Sequence, residues 1–166
     1  SCGYIDGDFK TFTLDSNSIQ FQLLFNSSGP YDYVMNLSAM KHVRNEKDPF
    51  SLMRMIEINI LNAMSMLNIL KEKPLEKYFC VSTDKASDPV NMMGASKRIM
   101  EHVLIKESVN IKISTARFAN VIFSDGSLLF GVENSFKKQQ PISAPNDIKR
   151  YFLTSEESGQ LCLLST

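Results

Sequence analysis

The stretch Lys77–Thr83, KYFCVST, is short, apolar almost throughout, and flanked on both sides by long helical patterns. A strand that is apolar on both faces has to be covered on both, and a parallel sheet between layers of helices does that. Upstream, Asp48 suits an N-cap, and Pro49 suits the first helical position, where a missing N–H costs nothing. Met53, Ile56, Ile60, Ala63, Leu67 and Leu70 then recur at three- and four-residue steps, and Lys71, Glu72 and Pro74 close the element. Ile58, Leu61, Met64 and Met66 widen the apolar surface beyond one stripe. The helix is therefore expected to bury one face on the sheet and another on a neighbouring helix or a partner subunit. Downstream, a second helix is expected over 92–106.

The other segments continue this alternation. FKTFTLD (9–15) alternates like a strand, SIQFQLLFNSSG suggests a short helix ended by Gly29, and YDYVMNLSA (31–39) reads as a strand entering a small-residue turn. After the 92–106 helix come a strand, IKISTARFANV, and a helix, GSLLFGVENSFKKQQ. TSEESGQLCLLST opens on a Ser/Thr–Glu capping signal. Strands alternating with helices make βαβ units, hence an α/β fold with a mainly parallel, doubly wound sheet. QQPISAPNDIKR is the candidate boundary.

Composition narrows the function classes. At 166 residues there is room for one core-bearing domain. Eighteen basic and eighteen acidic residues cancel, and the basic clusters are pairs such as Lys137 and Lys138, so a nucleic-acid role is discounted. Cys2, Cys80 and Cys162 lie far apart without C-x-x-C spacing, which suggests buried thiols in a reducing compartment. His42 and His102 are the only imidazoles and form no H-E-x-x-H pattern, so no metal is expected. No run approaches the roughly 18 apolar residues of a membrane helix. A cytoplasmic location is the expectation.

Ligands of such sheets gather at the carboxyl ends of the strands. Polar residues stand there four times over: Asp15; then Asn36, Ser38 and Lys41; then Ser82, Thr83, Asp84 and Lys85; then Arg117 and Asn120. Each alone is ordinary surface chemistry, but the repetition is a signal. Met93 and Lys97, four apart, share one helix face. With these, the stretches LSAMKHV, STDKASDPVNMMGASKR, RFANV, SDGSLLF and IKRYFLT resemble the extended short-chain dehydrogenases/reductases. Within them the chain is similar to the UDP-N-acetylglucosamine 4,6-dehydratase family of polysaccharide and flagellin-glycan synthesis. The resemblance runs from about Tyr4 to the end.

That resemblance implies bound NAD rather than NADP, a Rossmann-like sheet and a UDP-sugar substrate. A hydride leaves sugar C4, the ketone acidifies the C5 proton, a base removes it, an acid helps the C6 hydroxyl leave as water, and the hydride returns to C6. By the family motif Thr83 holds the Ser/Thr position, Asp84 is the acid and Lys85 the base, which has to be neutral to act. Lys97 binds the nicotinamide ribose and Asp15 the adenine. Ser38, Ala39, Lys41 and Ser82 lie by the cofactor, with Lys41 and His42 toward the sugar. Asn59 matches the helix Asn supporting the active-site lysine, and Asn120, Ser127 and Arg150 match positions around the diphosphate. A homo-oligomer through the helices 49–72 and 92–106 is expected.

Two departures matter. Most of the superfamily has Tyr where this chain has Met93, so the C4 hydroxyl proton has to go elsewhere, with Asp84 nearest. One dehydratase subgroup shares this Met. The G-x-G-x-x-G turn that receives the pyrophosphate is also missing, since Gly3 and Gly7 do not form it. By the resemblance the chain starts just before the third strand of the order 3-2-1-4-5-6, so the sheet is incomplete at its N-terminus and strand 4 becomes an edge. Residues 1–140 are then a partial NAD-binding domain and 141–166 the start of a substrate-binding region, an interior portion that alone should bind NAD poorly. Longer family members carry an upstream membrane anchor. The alternatives are a 4-epimerase or reductase of the same superfamily, and a non-catalytic dinucleotide-binding remnant.

Overall fold

A computed structural model describes residues 9–41, 46–124, 127–142 and 149–166. The chain divides into two compact units, 1–30 and 31–166. In the first, α1 (Ile19–Ser28) starts at Ser18, whose hydroxyl accepts the Phe21 N–H, and Phe21 and Phe25 stack with centroids 5.7 Å apart. Residues 9–15 do not form the expected strand. A strand exists by its ladder, and among the described residues of this unit α1 is the sole regular element.

The second unit is built on β1 (Tyr33–Asn36), β2 (Lys77–Thr83) and β3 (Ile113–Phe118), parallel and in the order β1-β2-β3. β2 is the centre, as its apolar run requires. Tyr78 and Phe79 are wholly buried, and the buried Tyr78 hydroxyl accepts a hydrogen bond from Asn36 Nδ2 at 3.0 Å. β1 and β2 are joined by α2 (Pro49–Ile56), a π-helical turn (Glu57–Leu61) and α3 (Asn62–Leu70). Asp48 caps this element by accepting the Ser51 N–H at 2.8 Å, and Pro49 stands in its first turn. The π turn is the unanticipated part. Its extra residue brings Asn59 and Ile60 inward together.

α4 (Met92–Glu107) joins β2 to β3, packs on α2, the π turn and α3, and meets the sheet through Cys80 and Ser82. α6 (Ser155–Ser165) contacts β2 and β3 on the opposite side: Ser114, which alternates away from Arg117, donates to the Ser165 carbonyl. Helices therefore cover both faces. The strand expected over IKISTARFANV is broken at Ala119. Beyond it, β4 (Asn120–Val121) leaves the β2 ladder and pairs in parallel with β5 (Phe152–Leu153), with α5 (Leu128–Lys137) between them. The capping signal of α6 forms a full box between Thr154 and Glu157. Cys80 and Cys162 are free and buried, while Cys2, His42, Gly3 and Gly7 lie outside the described residues, as does 143–148 of the candidate boundary. Among the described residues no helix is long and apolar enough to cross a membrane.

Candidate active site

Thr83 ends β2 in extended backbone and hooks the chain into one 3-10 turn, Asp84–Ala86. Its Oγ1 accepts the Lys85 N–H at 3.4 Å and donates to Asp84 Oδ1 at 3.0 Å. The turn presents Asp84 and Lys85 together at the carboxyl end of the central strand. Lys85 Nζ donates to the same Oδ1 at 2.9 Å and to Asn120 Oδ1 at 3.4 Å. Partial burial is the largest single influence on Asp84 and raises its pKa, yet the hydrogen bonds from Lys85 and Thr83 together outweigh it and hold the carboxyl below its ordinary value. Asp84 thus rests as a carboxylate, able to accept a proton.

α4 approaches this turn very closely. Asn91 caps the helix by accepting the Gly94 N–H, and a Cβ on Gly94 would stand 2.6 Å from the Lys85 carbonyl oxygen and 3.2 Å from Pro89 Cβ. No side chain fits there. Gly94→Ala is expected to cost about 1–3 kcal/mol in denaturant unfolding and to displace the 15N amide shifts of Asp84, Lys85 and Ala86. A variant of unchanged stability with unmoved shifts would refute this.

One turn further, Lys97 is 4% exposed. Its Nζ donates to the carbonyls of Val81, near the end of β2, at 3.0 Å and of Ser38, on the loop after β1, at 3.5 Å, and lies 3.7 Å from Met100 Sδ. Burial pushes its pKa down, against the opposing influence of Cys80 and Glu101. Met93 is buried, and its backbone N–H donates to Glu46 Oε1 at 2.8 Å. Ser38, Ala39 and Lys41 are exposed on the loop after β1. Asn59 Oδ1 accepts the Met40 N–H at 2.9 Å, while Nδ2 donates to the Met40 carbonyl at 3.1 Å and to Ser96 Oγ at 2.9 Å. Its partners are thus that loop and the residue beside Lys97, not Lys97 itself.

The family model for polysaccharide biosynthesis proteins matches residues 16–166. The chain belongs to that family. The capsular polysaccharide biosynthesis protein CapD of Staphylococcus aureus is 33% identical over 152 residues, 89% of this chain and 25% of that protein. A UDP-glucose 4-epimerase of Rickettsia bellii is 33% identical over 129 residues, 75% of this chain and 37% of that one. The inverting UDP-N-acetylglucosamine 4,6-dehydratase of Campylobacter jejuni is 33% identical over 104 residues, 59% and 30% respectively. The chain spans between a quarter and about two fifths of the length of such relatives. The UDP-glucuronic acid 4-epimerase of Bacillus cereus, solved with UDP-glucuronic acid and NAD, shares the fold with a TM-score of 0.77 at 20% identity, over 92% of this chain and 55% of that one.

Ser82 does not face the open strand end. It is 4% exposed on the α4 side of β2 and donates its hydroxyl to Glu101 Oε1 at 2.6 Å. Asn120 stands at Lys85, and its N–H donates to the Tyr151 carbonyl at 3.3 Å, which brings the chain next to Arg150 alongside. Arg150 is exposed, and Ser127 caps α5 by accepting the Phe130 N–H. Asp15 lies in the first unit, where Oδ1 accepts the Asn17 N–H ahead of α1. His42 is outside the described residues. Glu101 was missed by sequence reasoning, although its place four residues after Lys97 put a second charge on the same helix face.

Proposed function

We propose that the protein is an NAD-dependent nucleotide-sugar 4,6-dehydratase, a lyase acting on UDP-N-acetylglucosamine for surface polysaccharide or glycan synthesis. The observation that carries this reading is the Asp84–Lys85 pair at the end of β2, beside a helix with Met93 in place of tyrosine. Elimination needs an acid and a base at one carbon pair, whereas epimerisation needs no acid to expel a C6 hydroxyl.

NAD supplies reversible acceptance of the sugar hydride. The nicotinamide-ribose end suits the residues present: Lys97, anchored on the Val81 and Ser38 carbonyls, offers a fixed cation to the ribose hydroxyls, and Ser38, Ala39 and Lys41 flank it. The sequence has no glycine-rich turn for the pyrophosphate. Asp84, resting as a carboxylate, takes the C4 hydroxyl proton that Met93 has no group to accept. It then returns that proton to the departing C6 hydroxyl. Lys85 enters the step as the neutral amine, takes the C5 proton and gives it back to C5 when the hydride returns to C6. Asn120 holds the Lys85 amine in place through the 3.4 Å contact. Residues 1–140 serve the cofactor in this reading and 141–166 lead into the substrate region. The exposed Phe50, Met53, Leu61 and Met64 of the 49–70 helix and Ile99 and Ile105 of α4 suit an oligomer contact.

The second reading, a 4-epimerase, is favoured by the UDP-glucose 4-epimerase match at equal identity. Incubating the full-length protein with NAD and UDP-N-acetylglucosamine and following the sugar by NMR separates the two. A 4-keto-6-deoxy product is expected, its C5 configuration read from the same spectra. A 4-epimer that keeps its C6 hydroxyl would overturn the dehydratase reading, and a bound cofactor without turnover would leave the dinucleotide-binding remnant.

A further inference from the structure

Beneath the turn that carries Asp84 and Lys85 lies a second ionic cluster. The Glu101 side chain is 6% exposed. Its Oε1 accepts the Ser82 hydroxyl at 2.6 Å and Arg117 Nε at 2.8 Å, and its Oε2 accepts an Arg117 terminal nitrogen at 2.6 Å. Ser82 and Arg117 are register partners across β2 and β3. One carboxylate therefore ties both strands to α4, at the residue immediately before Thr83. Burying a carboxylate costs more than a surface ion pair recovers, and an apolar side chain would fill the place more cheaply. The cluster calls for a role beyond packing.

Lys97 supplies one. Its hydrogen-bond partners, the Val81 and Ser38 carbonyls and the Met100 sulfur, are all neutral. The ionisable groups acting on it are Cys80 from β2 and Glu101 from its own helix. From the 49–70 helix, neutral Asn59 approaches through Ser96. The Asp84–Lys85 pair caps the end of β2; Arg98, next to Lys97 in sequence, donates to the Ala86 carbonyl at 3.5 Å, and Arg117 pairs with Glu101 from β3. Burial pushes the Cys80 thiol up, so at neutral pH it brings no charge. Arg117 keeps Glu101 ionised, but its guanidinium side chain is 41% exposed and screened by water, whereas the carboxylate is not.

We propose that Glu101 is a positioning residue: through Ser82 it fixes the strand end from which the Asp84–Lys85 turn springs, and as a buried carboxylate one helical turn beyond buried Lys97 on the same face of α4 it supplies the negative charge that balances that lysine. The site it serves is that of the proposed dehydration, but the charge arm can be tested without substrate. In full-length protein labelled with 13C and 15N lysine, the Lys97 signal is assigned from its loss in Lys97→Met and followed against pH. Glu101→Gln is expected to lower the Lys97 midpoint by about one pH unit. Ser82→Ala, which keeps the charge and removes the hook, is expected to leave that midpoint in place and to lower kcat about tenfold with KM for the sugar nearly unchanged. Should Glu101→Gln fail to fold with Arg117 unpaired, the double variant Glu101→Gln, Arg117→Gln removes both charges and should lower the midpoint alike. An unmoved Lys97 midpoint in the folded glutamine variants, or wild-type kcat in Ser82→Ala, overturns the inference. If the wild-type protein eliminates no water, the dehydratase reading falls while the Lys97 titration still decides the charge role of Glu101.

Discussion

Asp84→Asn is expected to lower turnover of the full-length protein by about a thousandfold or more, because one carboxylate carries both the acceptance of the C4 proton and its delivery to C6. The amide is nearly the same size and still offers an oxygen to Thr83 and Lys85, so the turn should survive. The Asp84 side chain is about half exposed, and its pair with Lys85 adds little to stability. Thermal unfolding should therefore be almost unchanged, and the loss is chemical. Met93→Leu is the contrasting variant: it keeps an apolar, buried side chain of similar volume and should cost no more than about tenfold. Equal losses in the two variants would sink this division of labour. The pH dependence has a definite sign. The net effect of the Lys85 and Thr83 hydrogen bonds is to depress Asp84, so the required carboxylate is present above the ordinary value of 3.8 and is lost only as pH falls through its lower native value. An acid limb of kcat/KM that appeared well above 3.8 would belong to another group.

Sequence and structure agree best where the determinants are local. The Asp48 cap, the Thr154–Glu157 box and the apolar run of β2 lie within a few residues of what they control, and each formed as the pattern implied. The Thr83–Lys85 turn was legible for the same reason, since Thr83 bonds to its next two residues. What escaped depends on distant partners. The alternation of 9–15 specifies which side chains share a face, but among the described residues it belongs to neither sheet. The π turn is recognised through Asn59, which bonds Met40 and Ser96, 19 and 37 positions away. Ser82 reads from its motif as a cofactor contact, yet the pleat turns it to the face opposite Thr83, where Glu101 is waiting from 19 residues on. Spacing along one helix hinted at Glu101, but only the register of β2 with β3 brings Arg117 to it.

Lys97→Met should separate function from stability. Activity is expected to fall by more than about a hundredfold, since methionine keeps much of the volume but removes the cation offered to the ribose and to the transferring hydride. The fold should tolerate the change better than so buried a site suggests. Lys97 holds its charge among the Val81 and Ser38 carbonyls, with no carboxylate bonded to it among the described residues, and burial lowers its pKa from the ordinary 10.5. The sign follows. The unfolded chain binds more protons at this residue than the folded one between the lowered native value and 10.5, so wild-type stability rises with pH across that window. Below the native value the full cost of burying the ammonium is present. Methionine never bears that cost, although it leaves two carbonyls without the Lys97 donor. The wild type should therefore gain on Lys97→Met as pH rises through the window, and denaturant unfolding at pH 7 and near pH 10 measures the change. Parallel stability curves for the two proteins would mean that Lys97 is not paying a burial cost, and retained turnover in the variant would remove it from the chemistry.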